Sequence, residues 1–291
     1  MSSVKQTTVR EERNRVEAGT LYLVATPIGN LADLSERAVK VLSEVDFIAA
    51  EDTRNSMRLL SHLDIHKPMV SYFEHNKRER GEQIVERLAA GESCALITDA
   101  GTPAISDPGE DLVALCAERG VPVTSIPGAV ASIVALTLSG LPTGRFCFEG
   151  FLSTNKSERR ERLADLKSER RTMLFHEAPH KLQATLEDLE ATFGGDRRIA
   201  ICRELTKLNE EVLRLTLTEA VAYHKEHAPR GEYVLVVEGA SETEQAAFWE
   251  GMEIPEHVKH YMDEGMSKME AIKQTAKDRG VPKNEIYQRM L

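Results

Sequence analysis

The run Asp99-Ala100-Gly101-Thr102-Pro103-Ala104-Ile105-Ser106-Asp107-Pro108-Gly109 places two carboxylates, two prolines and two glycines in one short loop. Glycine lets a backbone approach a ligand closely or take positive φ, and proline fixes φ and donates no hydrogen bond. A loop of this make-up is stiff, shaped and poor in side-chain bulk, which suits ligand binding. A second acidic pair, Glu51-Asp52, has the residue types for holding a metal or for paired acid and base work. Adjacent residues on a helix do not face each other, however, and no His or third carboxylate stands at ligand spacing, which argues against both roles. The nine histidines are scattered, and His62, His66 and His75 form no His-Glu-x-x-His arrangement. Cys94, Cys116, Cys147 and Cys202 lie far apart with no Cys-x-x-Cys pair, so they read as reduced core thiols rather than a zinc site or a disulfide framework.

The binding loop needs a strand ahead of it, and Cys94 to Thr98 supplies one. Upstream, Leu21 to Ala25 reads as a buried strand, Ala38, Leu42 and Val45 mark one helical face, and Asp46 to Ala50 is another short strand. Ile84, Val85, Leu88 and Ala89 stripe a helix, and Leu112, Leu115 and Cys116 stripe the next, which ends at Gly120. Pro122 to Ile126 is then a strand leading into Gly128. Strands alternating with amphipathic helices predict a largely parallel sheet with helices on both faces. Open α/β sheets hold ligands at the carboxyl ends of their strands, where the loop from Asp99 stands.

Turn residues cluster from Gly140 to Gly144 and mark a boundary. Beyond it, strands are predicted at Arg145 to Gly150, Thr172 to His176, Arg198 to Arg203, Val212 to Leu217 and Tyr233 to Val237. Leu213, Leu215 and Leu217 alternate with polar residues, which predicts antiparallel, half-exposed pairing there. The expected fold class is therefore α/β, with two α/β domains at residues 20–141 and 142–240. A flexible tail, 1–19, precedes them, and a linker with a helical appendage, 241–291, follows; the stretch from Ala240 to Glu250 reads as linker or solvated helix. In the appendage, Ser267-Lys268-Met269-Glu270 fits a capping box and Ala271, Ile272, Thr275 and Ala276 form one helical face. Gly280-Val281-Pro282 interrupts, and Lys283 starts a short helix. That helix-turn-helix outline suits either entry into a nucleic-acid groove or a structural hairpin.

With 291 residues and 41% hydrophobic content the chain can build two real cores, and its net charge of −10 excludes a uniform basic coat. Any nucleic-acid contact must be local. Residues 156–171 carry seven positive and four negative charges, and residues 267–291 carry six and three. The candidates are Lys156, Arg159, Arg160 and Arg162 in the first segment, Lys273, Lys277 and Lys283 in the second, and Arg54 and Arg58 on a helix after Glu51-Asp52, where Asp52 or Thr53 can serve as N-cap. The competing reading of each run is a solvated helix face. Met1 to Gly19 has no apolar core of a signal peptide. The longest apolar stretch, Ile126 to Leu141, is broken by Pro127, Gly128 and Gly140 and falls short of the roughly 20 residues that span a bilayer. A soluble, cytoplasmic protein with no membrane partner is expected.

The opening loop stands beside Val24 to Asp33, Ala50 to Arg54, Ile126 to Ala129, Cys202 to Lys207 and Gly231 to Tyr233 in an order that resembles the ribosomal-RNA-methylating branch of the tetrapyrrole methylase superfamily. The resemblance runs from about Thr20 to the end of the chain. It implies two α/β domains with S-adenosylmethionine in the cleft between them, a homodimer, no metal, and methyl transfer to the ribose 2′-hydroxyl of a cytidine in the decoding region of 16S rRNA, within the small ribosomal subunit. By matching motif, Gly101, Thr102, Pro103 and Ile105 fall on the cofactor loop, with Asp99 beside them. Val130 and Ala131 follow the Pro127-Gly128 segment, and His176, Leu205, Gly231 and Glu232 fall on adenosyl-contacting segments of the second domain. Two departures stand out. Thr102 replaces the aspartate of the superfamily's Gly-Asp-Pro, and the first loop, Thr26-Pro27-Ile28-Gly29-Asn30, has one glycine where tetrapyrrole-specific members have three.

Methyl transfer from a sulfonium is an in-line displacement in which positioning alone contributes about 7 to 11 kcal/mol. A ribose hydroxyl also needs a nearby group to receive its proton. Glu177, His176 and Asp107 are the candidates, and each has an alternative role in capping a helix or holding a loop. Two other readings stay open: a methyltransferase of a small tetrapyrrole, and a non-catalytic RNA-binding ribosome-assembly factor on the same fold.

Overall fold

The computed structural model describes residues 15–241, 249, 251–263 and 265–290. Most of the amino-terminal tail and of the linker expected from Ala240 to Glu250 lies outside them. The first unit runs β1 (Leu21–Val24), α1 (Glu36–Glu44), β2 (Phe47–Ala50), α2 (Thr53–His62), β3 (Met69–Ser71), α3 (Lys77–Ala89), β4 (Cys94–Ile97), α4 (Glu110–Arg119), β5 (Val123–Ile126) and α5 (Ala131–Ser139). Its five strands pair in the order β3-β2-β4-β1-β5, and every pairing is parallel. The alternation of side chains explains the two-sided burial. Tyr22, Val24, Ile48, Ala50, Ala95 and Ile97 pack with Ala38, Leu42 and Leu60 on one face. Leu21, Phe47, Ala49, Cys94 and Leu96 pack with Ile84, Leu88, Leu112 and Cys116 on the other.

The second unit runs β6 (Phe146–Phe151), α6 (Lys156–Asp165), β7 (Thr172–Glu177), α7 (Pro179–Phe193), β8 (Arg198–Arg203), β9 (Glu211–Thr216), α8 (Leu217–Glu226) and β10 (Tyr233–Val237). The strand order is β6-β7-β10-β8-β9; β6 and β7 are parallel and the other neighbours antiparallel. Leu213 and Leu215 fall on an antiparallel edge strand, β9, which is largely half-exposed, but Leu217 does not continue it: the Thr216 capping box starts α8 there and Leu217 is buried in the core. One face of this sheet packs on α7 and α8 through Met173, Phe175, Ile201 and Leu235. The other face is covered from the first unit, because Ala135 and Leu136 of α5 pack against Leu174, Ala200, Cys202, Val234 and Val236. The turn at 140–144 therefore follows a helix that already lies on the second sheet.

The carboxyl-terminal part folds as α9 (Ile254–Asp263), α10 (Lys268–Asp278) and α11 (Lys283–Arg289). The capping box forms as its spacing predicts: Ser267 caps the Glu270 backbone and the Glu270 side chain returns to Ser267. A small core of Ile254, Val258, Ala271, Ile272, Ala276 and Ile286 joins the three helices. Among the described residues no helix is long and apolar enough to cross a membrane, and no group of His, Cys, Asp and Glu could hold a metal ion.

Candidate active site

The carboxyl ends of the first sheet open onto a cleft of about 400 Å³, within the range of about 300–1,000 Å³ usual for small-ligand sites. Ile28 enters from the loop after β1, Glu51 from the turn after β2, Asp99, Ala100, Ser106 and Asp107 from the loop after β4, and Ala131 from the start of α5. The second sheet presents the matching edge. Tyr233 pairs antiparallel with both Glu177 and Arg203, so the start of β10 lies level with the ends of β7 and β8. Phe151, His176, Glu177, Pro179, Cys202, Leu205 and Glu232 complete the wall.

The loop after β4 is held in shape by backbone pairing. Thr26 N donates to Gly101 O at 2.9 Å and Gly101 N to Thr26 O at 3.1 Å, while Thr26 Oγ1 donates to Thr98 O at 3.1 Å. Gly101 sits at φ +86, and a Cβ there would meet Ile28 and the Ala129 carbonyl at 3.3 and 3.4 Å. The left-handed backbone there, more than the tight but bearable contacts, favours glycine. Thr102, standing where the superfamily has an aspartate, donates its hydroxyl to Ala129 O at 3.1 Å. It thus anchors the loop to the residues before α5 instead of reaching the cleft. Pro103 is buried, whereas Ile105 is 41% exposed. Val130 is the half-buried residue before α5, and Ala131 behind it is the one that lines the cleft. Ala104 and Ser106 both hold positive φ, at +67 and +64, a backbone strain of about 1–3 kcal/mol each that clusters at functional sites.

The three candidate proton acceptors separate clearly. Glu177 is 4% exposed, and both its oxygens are taken: Ala178 N donates to one at 2.8 Å and the Thr185 hydroxyl to the other at 2.5 Å. These two bonds secure the first turns of α7. His176 lies edge-on to Phe148 and Phe151, at 5.1 and 5.3 Å between ring centres. Its Nε2 is buried with no partner among the described residues, and burial, against a smaller pull from Glu232, lowers its pKa and keeps the ring neutral. Asp107 is half-buried on the wall of the cleft. Burial first, then the charges of Glu51 and Asp99, pushes its carboxyl up to about 6.

On the second wall Lys207 crosses toward the first unit. Its Nζ donates to Glu204 at 2.9 Å and to Glu232 at 2.6 Å, and Glu232 N donates to Glu204 at 3.0 Å. The Lys207 stem lies over Gly29, where a Cβ would sit only 2.4 Å from Lys207 Cγ. This accounts for the one glycine kept in the first loop. Gly231 is likewise shaped by packing, since a Cβ there would run into Glu204 at 2.6 Å. Sequence reasoning does not single out Glu51, Ile28 or Phe151 as residues of the cleft, nor Lys207 as the cation that holds Glu232. Ile28 and Lys207 lie inside quoted motifs, but Phe151 carries no local signal.

The basic candidates also divide. Arg159 is withdrawn from nucleic-acid contact: it is 12% exposed, pairs with Asp188 at 2.7 Å and bonds Ser153 O at 3.2 Å, tying α6 to α7. Arg160 shares Asp188 at 3.4 Å with 61% exposure, and Arg162 pairs with Glu149 at 2.7 Å with 52%. Arg54 is 88% exposed and pairs with Asp52, the N-cap of α2. Arg58, Lys156, Lys273, Lys277 and Lys283 are exposed.

A cleft at the carboxyl ends of one parallel and one mixed sheet, closed by a helix passing between them, defines the class: the chain belongs to the tetrapyrrole (corrin/porphyrin) methylase family, whose model matches residues 20–221. It is 49% identical over 96% of this chain and 97% of the other to a protein of Halalkalibacterium halodurans named ribosomal RNA small subunit methyltransferase I. A Synechocystis protein of the same name is 47% identical over 93% of this chain and 96% of its own length. Among solved structures, uroporphyrin-III-C-methyltransferase from Thermus thermophilus superposes with a TM-score of 0.54 at 18% identity, covering 75% of this chain and 94% of that one, which shows the shared fold.

Proposed function

We propose that the protein is an S-adenosylmethionine-dependent methyltransferase that modifies the ribose 2′-hydroxyl of a cytidine in the decoding region of the small-subunit ribosomal RNA. The observation that carries this reading is the cleft itself, where the motif segments of both sheets meet. It is supported by relatives named as ribosomal RNA methyltransferases along nearly the whole chain. A ribosomal RNA substrate implies a cytoplasmic protein, and a homodimer is the expected assembly.

The residues present fit the methyl donor. Ile28, Ala131, Phe151 and Leu205 offer apolar surface for an adenosyl group, and Asp99 and Glu232 offer negative charge to a ligand bearing a sulfonium and an ammonium. S-Adenosylmethionine, when bound, supplies a methyl carbon made electrophilic by its positive sulfur. The chain supplies placement: the strained loop after β4 and the Thr26–Gly101 pairing fix one wall, and the Lys207 bonds to Glu204 and Glu232 fix the other. Phe148 and Phe151 keep His176 in a largely dry setting, so its neutral ring offers hydrogen bonds without adding positive charge beside a cationic donor.

The test is a choice of acceptor. With methyl-labelled donor, small subunits lacking the modification should take up label and uroporphyrinogen III should not. Label in the tetrapyrrole, or in neither acceptor, overturns the reading. The second outcome combined with donor binding would favour a non-catalytic assembly factor.

A further inference from the structure

In a chain of net charge −10, α2 is the one described α-helix that carries cations and no carboxylate. Its Ser56 and Leu60 turn inward, Leu60 into the core of the first unit. Arg54, Met57, Arg58 and Ser61 stand at the i, i+3, i+4, i+7 spacing of a single helical face, and all four are exposed. Met57, 56% exposed, gives this stripe an apolar and polarisable centre between two guanidinium groups. The helix also begins at the rim of the cleft. Glu51, just ahead of it, lines the cleft, and Asn55 Nδ2 donates to Asp99 Oδ2 at 2.9 Å, joining α2 to the loop after β4. Arg54 is oriented by the N-cap: its Nε and Nη2 donate to the two oxygens of Asp52 at 3.2 and 2.9 Å, while the side chain stays 88% exposed. Those bonds use two of the five guanidinium N–H donors. The arginines of α6 differ, since Arg159, Arg160 and Arg162 are tied to Asp188 and Glu149 from other elements.

We propose, resting on the ribosomal RNA reading above, that the exposed face of α2 docks the sugar-phosphate backbone beside the target nucleotide. Arg54 and Arg58 each take a phosphate, and Met57 lies against the sugar between them. Four residues separate the two arginines, about 6 Å along the helix axis, close to the step between successive phosphates of a strand. A phosphate accepts paired N–H bonds from a guanidinium, and such contacts fix register without reading sequence. The cleft itself cannot hold the strand by charge. Among the described residues that line it, Glu51, Asp99, Asp107, Glu177 and Glu232 are acidic and none is lysine or arginine, so phosphates must be held from the rim. Through Asn55 and Asp99 the docked strand shares one frame with the cleft loop, as in-line displacement at a ribose oxygen requires.

The experiment measures binding of unmodified small subunits across a potassium chloride series, KM for those subunits, and S-adenosylmethionine affinity by calorimetry. It compares wild type, Arg54→Gln/Arg58→Gln, Arg54→Lys and the charge-matched control Lys40→Gln/Arg119→Gln. Lys40 and Arg119 are exposed cations of α1 and α4 outside the cleft lining. The Arg54→Gln/Arg58→Gln protein should bind subunits about tenfold more weakly and flatten the log-affinity against log-salt slope by about two. Its KM should rise in step, with donor affinity within about twofold of wild type. Arg54→Lys should keep the slope and lose part of the affinity, because an ammonium cannot make the paired bonds. The control should match wild type. Wild-type affinity and slope in Arg54→Gln/Arg58→Gln overturn the docking face. An equal loss in the control overturns it too, since net charge alone would then account for the effect. A fall in donor affinity that explains the whole defect overturns it as well, leaving α2 a support of the cleft loop. A slope flattened in Arg54→Lys overturns the phosphate contact of Arg54. A wild-type protein that neither binds nor methylates the subunit rejects the underlying function instead, so the two failures are told apart.

Discussion

Individual carboxylates of the cleft differ by what they touch. Burial and two negative neighbours raise Asp107 to about 6 from the 3.8 ordinary for an aspartate. Between those values the folded protein binds the proton more tightly than the unfolded chain, so stability falls as pH rises through this window and the penalty is complete above it. Replacing Asp107 by Asn removes that penalty. The melting temperature of Asp107→Asn should therefore exceed that of wild type at pH 8, with the gap closing toward pH 4; a gap independent of pH would contradict the burial. Glu177 has the opposite character. Glu177→Ala leaves Thr185 and the Ala178 amide without their shared acceptor and should lower unfolding stability by about 1–3 kcal/mol in urea titrations. Motifs in the sequence already place Asp107, Glu177 and His176 near the chemistry. They do not show that both Glu177 oxygens are bonded, because Thr185 lies two helical turns away from Glu177. Nor do they show Glu51 sharing the cleft with Asp107. Those two residues come from loops after different strands, and only the pairing of β2 with β4 brings them together.

Among the helices and strands, alternation of short apolar runs with amphipathic helices makes the first sheet legible, since its strands are buried on both faces and its helices carry clean stripes. β3 leaves no such trace, being three residues long and half-buried throughout. The segment 156–171 reads as net basic, and sequence does not display Asp188, which comes from α7 to meet Arg159 and Arg160. The two arginines should behave differently. Arg159→Ala leaves Asp188 under-paired in a largely buried place and should cost about 3 kcal/mol of stability, without altering how RNA affinity depends on salt. Arg160→Ala should be nearly neutral for stability, being mostly exposed. Any effect it has should appear in the salt slope, measured by filter binding across a potassium chloride series. A stable Arg159→Ala protein would show that the pair contributes little.

Across the whole molecule, α5 is the element that makes two sheets into one site. It leaves the first sheet at β5, packs Ala135 and Leu136 on the second, and presents Ala131 to the cleft. Ala135 is fully buried, so Ala135→Leu should overpack this joint at a cost of about 1–3 kcal/mol and weaken donor binding in calorimetry by distorting the cleft. The acidic chain also confines RNA contact to patches, and the carboxyl-terminal helices are the most detached of these, with exposed Lys273, Lys277 and Lys283 around their own small core. Changing all three to Gln should flatten the log-affinity against log-salt slope by roughly one for each phosphate no longer neutralised. An unchanged slope would make the appendage a structural hairpin. Whether the shared cleft performs ribose methylation of small-subunit RNA is decided by locating the methyl group. After incubation of unmodified small subunits with labelled donor, nuclease mapping and mass spectrometry should find one added methyl on the 2′-oxygen of a single cytidine in the decoding region. A methyl on a base, or label spread over many nucleotides, would refute ribose methylation by this cleft.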